Sequence, residues 1–524
     1  MKKLPIGIQS FEVLRSEDYL YVDKTKEIEQ LINSHIIFLS RPRRFGKSLL
    51  ISTLEELYKG NKPLFEGLYI YDKWDWTQQY PVIRIDWTNI EHGGGEEIER
   101  SMTTFLKRQA NFYQLTFISE YASDCFAELI ELLHRKTGKK VVVLIDEYDS
   151  PILDTMGNSE ATAVRKFLQG FYKRLKAVDD HLKFVFLTGV TKAAKVSIFS
   201  VLNSPYDITI DDKYASICGY TQEELESNFS GHINDTAAHL DMTKADLLAK
   251  IREMYDGYTW DGKTSLYNPF STLSFFMKKI FSNYWFESGT PTFLINRLKK
   301  RNLANTVLEP VMVDDSAFDS YDPDALEDIP LLFQTGYLTI KDRKIINGDP
   351  QYTLEVPNLE VRESLMRHLL SAFTDYPVSQ MSQLGKEMLQ QIIHGDAAGL
   401  TMNLRKMLAG VPYNLQPEDS TTEDANEARY HIIFQVWMTL LGFNIQSEKT
   451  TNRGRMDAVL LQDELAVVAE LKYHATTKLD TLLNQAIAQI YEKRYYEQFL
   501  DRKIILLGLA FNGKDVSCRI EPTP

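Results

Sequence analysis

An unbroken apolar run that stops at a Gly-Lys-Ser triplet leaves this chain few folds to choose from. His35 to Ser40 is apolar throughout and leads into Arg41-Pro-Arg-Arg-Phe-Gly46-Lys47-Ser48, after which Ser48 to Tyr58 has the pattern of a helix. A strand that is apolar on both faces must be covered on both faces, which places it in a parallel α/β sheet. The helix that follows begins with backbone N–H groups that have no partner inside the helix and so attract anions. Gly46 supplies the turn, Lys47 a charge for the outer phosphates of a nucleotide, and Ser48 a hydroxyl for Mg²⁺. Arg41 stands where the usual pattern has its first glycine, which costs turn freedom.

Three more short apolar runs follow: Pro81–Asp86, Lys140–Asp146 and Leu182–Thr188. Strands alternating with helical segments over residues 1–210 predict a mainly parallel sheet. The run Val141 to Ile145 ends in Asp146-Glu147, a carboxylate pair at the strand edge where open α/β sheets bind ligands. Asp146 is expected to hold Mg²⁺ and Glu147 to orient or deprotonate the attacking water. Thr188, at the end of the next run, is the first candidate to sense the γ-phosphate, with Lys192 behind it. Arg43 and Arg44 could contact phosphate or reach a neighbouring subunit as an arginine finger; both readings stay open.

A second cluster lies near the C-terminus. Asp457 is expected to open one strand of a hairpin, with Gln462-Asp463-Glu464 as its turn and Leu465–Lys472 as the partner strand. Glu470 and Lys472 differ by two positions and therefore share a face. Asp457 and Glu470 would then hold a divalent metal while Lys472 orients or activates water. Glu427 upstream could add a carboxylate, and Gln489 on a helix over Leu482–Phe499 could position the metal water.

With 524 residues, several domains are expected. We place an ATPase core at 1–210, a helical lid at 211–325, a helical region compatible with a winged helix at 326–412, a polar linker at 413–426 and a last domain at 427–524. A hairpin bracing two helices fits 329–370 as well as a winged helix does. The net charge is −13, yet from Ala425 onward 12 Lys and Arg balance 12 Asp and Glu, so the last domain can present a basic face. No apolar stretch approaches a membrane span. Three widely spaced cysteines and the lack of a secretory pattern fit a cytoplasmic protein.

Residues from about 8 to 300 resemble the bacterial AAA-ATPase-like family. The matching pieces are Tyr21-Val-Asp-Lys-Thr25, the Arg41–Ser48 loop, Leu144-Ile-Asp-Glu-Tyr-Asp149, Tyr255-Asp-Gly-Tyr258, Tyr267-Asn-Pro-Phe270 and Tyr284–Thr290. The resemblance implies an ATPase core of the additional-strand type, with ATP as ligand and Tyr21–Thr25 near the adenine; Arg41 is usual in this family. Residues from about Glu427 to Phe511 resemble the PD-(D/E)XK nuclease superfamily. Together the two imply a Mg²⁺-dependent nuclease fused to an ATPase, with nucleic acid as partner, DNA ahead of RNA. Related ATPases often act as rings or dimers, so a homo-oligomer is also implied. The alternative is a nucleotide-controlled switch whose last domain binds nucleic acid or a protein without cutting.

Overall fold

A computed structural model describes residues 1–192, 205–285, 310–318, 328–374, 378–409, 430, 434, 438, 444–451, 454–462, 464–512 and 515–522. The expected linker 413–426, Glu427 and its helix, the end of the Tyr284–Thr290 motif and the side chain of Asp457 lie outside the described residues. The chain forms two compact units, 1–289 with 310–360, and 290–309 with 361–524.

In the first unit, helices α1 (Phe11–Ser16) and α2 (Thr25–Leu31) precede β1 (Ile36–Ser40), and α3 (Lys47–Lys59) follows the loop. Then come β2 (Val82–Asp86), α4 (Gly95–Phe112), α5 (Ala122–Thr137), β3 (Val141–Asp146), α6 (Ser150–Thr155), α7 (Ala161–Ala177), β4 (Leu182–Gly189) and β5 (Tyr206–Asp207). Among the described residues the sheet runs β2-β3-β4-β1-β5, with every pair parallel. Every residue of β1 and β3 is buried, as doubly covered strands require. One cover comes from α4, α5 and α7, which bury Met102, Phe126 and Phe171 in a single core with Phe38, Ile85 and Val143. The β1-β4 pairing, absent from the chain order, puts the phosphate loop beside the ends of β3 and β4. This is the doubly wound arrangement of a P-loop ATPase.

Within the expected lid, Gln222–Asn228, Ser230–His239, Lys244–Tyr255 and Pro269–Lys278 are helices, with irregular chain between the last two. Thr221 and Glu224 form a complete capping box, and the Asn268 side chain accepts from Ser271 N at 3.1 Å, with Pro269 in the first turn. Further on, β7 (Thr339–Ile346) and β8 (Asp349–Glu355) make the expected hairpin after a helix over Asp328–Thr335. The sequence gives no sign of its third strand, β6 (Val311–Asp314), which pairs with β8.

The second unit carries a sheet ordered β13-β12-β11-β10-β9 among the described residues. Its strands are β9 (Asn444–Thr451), β10 (Gly454–Gln462), β11 (Leu465–Tyr473), β12 (Lys503–Asn512) and β13 (Asp515–Pro522). Only the β11-β12 pair is parallel, and the helix Leu479–Lys493 bridges it as a crossover. That helix lies close to β12 at Gly508, where an added Cβ would come within 3.0 Å of Ile487.

Candidate functional site

The phosphate loop is built on a left-handed turn. Gly46 has φ +97° and caps α3, so the first N–H groups of that helix face outward. The Lys47 ammonium, 3 % exposed, donates to the carbonyls of Arg41 (3.1 Å) and Pro42 (3.2 Å) and lies 3.4 Å from Glu147 Oε1. Next to it the Ser48 hydroxyl hydrogen-bonds Asp146, which ends β3 and is buried. Burial, with Glu147 beside it, pushes the Asp146 carboxyl up to about 6. A cation at the Ser48–Asp146 junction would relieve that cost, so these two oxygens fit Mg²⁺ held together with phosphate and water. Among the described residues no three His, Cys, Asp or Glu side chains converge on a metal position.

Lys47, Ser48 and Glu147 line a cavity of 670 Å³, and Asp146 is buried behind Ser48. Its polar end also holds Arg43, His92, Ser150 and Asp154. The same cavity is also lined by Ile6, Tyr21, Val22, Ile217, Tyr220 and Phe270, an apolar slot of the kind that suits a planar base. Arg44, at φ +69°, stacks its guanidinium 4.3 Å over the Phe270 ring. Arg43 is fixed through its backbone, whose carbonyl accepts from Trp285 Nε1 at 3.0 Å. Both arginines therefore border the cavity of their own chain.

Arg41 has a different task. Fully buried, it donates from Nη1 to Ser40 O (2.9 Å) and Thr209 O (2.7 Å) and from Nη2 to Tyr214 O (3.3 Å). Its guanidinium lies 4.1 Å over the Trp260 ring, and burial pulls it down to about 10. It points into the protein and braces the loop from behind.

Thr188 stays away from the cavity. It is fully buried, and its hydroxyl donates to Leu39 O at 2.8 Å, so strand β1 takes the group expected to sense phosphate. Lys192 is likewise drawn off, paired with Asp207 at 2.8 Å. Asp149, quoted in a motif but given no role, accepts from Thr191 N (2.6 Å), Thr191 Oγ1 (2.8 Å) and Val190 N (3.2 Å) and so anchors the turn after β4.

In the second unit, β10 begins at Gly454, so Asp457 sits inside the strand instead of opening it. Ala458 pairs with Ala469, and Asp457 and Glu470 are the next residues outward on their strands. Glu470 is 0 % exposed, and Lys472 Nζ lies 2.8 Å from its Oε1, which places both on one face. Gln489 Nε2 reaches Tyr495 Oη at 3.5 Å, a bond at the edge of significance.

Comparison with known proteins matches this arrangement in both units. Residues 5–199 match the family described as "Predicted AAA-ATPase", and residues 425–521 match the PD-(D/E)XK nuclease superfamily. Over 516 residues the chain is 37% identical to a protein of Azotobacter chroococcum mcd 1 named "Uncharacterized protein in vnfD 5'region", covering 98% of this chain and 96% of that one. The chain belongs to the AAA-ATPase-like family and carries a PD-(D/E)XK nuclease superfamily domain at its C-terminal end.

Proposed function

We propose that the protein hydrolyses ATP in its first unit and cuts nucleic acid, DNA before RNA, with Mg²⁺ in its second. The observation that carries the first half is the meeting of Lys47, Ser48 and Glu147 in the wall of one cavity, with Asp146 buried behind Ser48 and hydrogen-bonded to it. Lys47 and the N-terminus of α3 hold the outer phosphates, with Arg43 and Arg44 beside them in the same chain. Ser48 and Asp146 would hold Mg²⁺, which when bound neutralises phosphate charge and aligns the terminal group. Glu147 then takes the proton of the attacking water. In the second unit Asp457 and Glu470 would hold Mg²⁺ and Lys472 would orient the water, a set supported by the close Glu470–Lys472 pair.

The test is an assay of phosphate release and of cleavage of single- and double-stranded DNA and RNA, with and without ATP and Mg²⁺. Lys47→Ala should abolish ATP turnover, and Glu147→Gln should lower it by about 10²-fold or more while ATP still binds. Asp457→Ala should abolish cleavage and leave ATP turnover intact. A wild-type protein that turns over ATP but leaves every nucleic acid whole would mean that the second unit binds without cutting.

A further inference from the structure

The polar end of the cavity carries a charged pair for which phosphate binding by Lys47 gives no reason. His92 lies in the loop after β2, with Nδ1 2.5 Å from the carbonyl of Ile90 and Nε2 2.9 Å from Asp154 Oδ2. A carbonyl and a carboxylate can only accept, so the ring satisfies both contacts at once when both nitrogens carry hydrogen and it is a cation. Asp154 belongs to α6, which starts just past Glu147, and Ser150 Oγ donates to the same Oδ2 at 3.2 Å. The charged groups around the ring come from several elements: Asp154 from α6, Glu97 from α4, Arg43 from the phosphate loop, and Lys47 and Glu147 from the same cavity wall. The bond to Asp154 outweighs partial burial and holds the ring above the ordinary histidine range.

The sheet order tells which part of a nucleotide would meet this cation. The loop after β1 receives the phosphates, β3 lies two places along, and β2 lies beyond β3 at the edge. The loop after β2 thus reaches the cavity past Glu147. The apolar slot of Ile217, Tyr220 and Phe270 comes from chain that follows β5, the strand at the opposite edge, and Phe270 lies under Arg44 of the loop after β1. A base in that slot, with its phosphates along the loop, directs its outermost phosphate toward His92.

We propose that His92, clamped by Asp154, is a specificity-determining residue: a fixed positive charge that makes the site prefer a nucleoside triphosphate over the diphosphate. This rests on the ATP reading above. The γ-phosphate adds negative charge at the His92 end, whereas a diphosphate stops at Lys47, so removal of the cation should act on one ligand alone.

The experiment measures the affinity of the full chain for ATP and ADP by titration calorimetry with Mg²⁺ for wild type, His92→Gln, Asp154→Asn and Lys47→Ala. His92→Gln should weaken ATP by about 10-fold and leave ADP within about 2-fold. In Asp154→Asn the ATP preference should decline at lower pH than in wild type, because the ring loses the partner that holds it above the ordinary histidine range. Unchanged ADP binding serves as the folding control. An unaltered ATP-to-ADP ratio in His92→Gln, or an equal loss of both ligands, overturns the inference while Lys47→Ala still abolishes binding. Wild-type ATP affinity in Lys47→Ala would instead overturn the ATP reading itself.

Discussion

Arg41 shows how a phosphate loop can carry a large residue in place of a glycine. Its side chain is spent on three backbone carbonyls and an indole face, so the loop's shape is fixed by distant segments and not only by local freedom. Arg41→Ala would remove three hydrogen bonds to carbonyls and leave a void under Trp260. It should cost about 3 kcal/mol in denaturant unfolding, with nucleotide affinity falling as well. Asp146 gives a pH signature. Its folded value of about 6 lies above the ordinary 3.8, so the folded state binds the extra proton and this share of stability fades as pH rises toward 6 and beyond. Between pH 5 and 7 the wild type should therefore lose about 1 kcal/mol relative to Asp146→Asn, as thermal melts would record. Lys47, Ser48, Asp146 and Glu147, named from the loop after one apolar run and the end of another, lie close together in the fold. Thr188 also ends an apolar run, but register turns its hydroxyl onto β1, and register is not local information. His92 and Asp154 left no trace, being far apart in the chain and brought together only by the fold.

The buried strands of the first unit were legible almost to the residue, since double coverage writes a continuous apolar run into the chain. Helices α4, α5 and α7 were not assigned individually, although each buries one apolar stripe. β9, β13 and the two-residue β5 were missed. β9 and β13 are the edges of their sheet, where one side has no neighbour and the alternating signal is weak. The crossover helix of the second unit shows why a small residue matters inside a strand. Gly508 pairs with Glu470 across β11-β12 and lets Ile487 approach the sheet. Gly508→Val should displace the helix and lower stability by about 2 kcal/mol, read as an earlier unfolding midpoint and a loss of cleavage.

For the molecule as a whole, the division into two units gives a thermodynamic prediction. A ligand that binds one unit should stabilise that unit alone. Calorimetric scans with ATP and Mg²⁺ at about 100 times the dissociation constant should raise one transition by about 2.7 kcal/mol and leave a second in place. A uniform shift of a single transition would show that the units unfold together. Charge divides along similar lines: the acidic excess falls before residue 425, and the C-terminal stretch is neutral. Binding of nucleic acid there would draw on a local basic face, and its affinity should fall with added salt in proportion to the phosphates contacted.

The inward anchoring of Arg41 also sets a lower limit on any portable fragment. The stretch shared with the ATPase family ends at residue 199, yet the carbonyls and the indole that grip this guanidinium belong to Thr209, Tyr214 and Trp260. A truncation at the end of the shared stretch would sever the loop from its moorings. Grafting, domain swapping or isolated expression of the first unit should therefore begin from a piece that runs past Trp260.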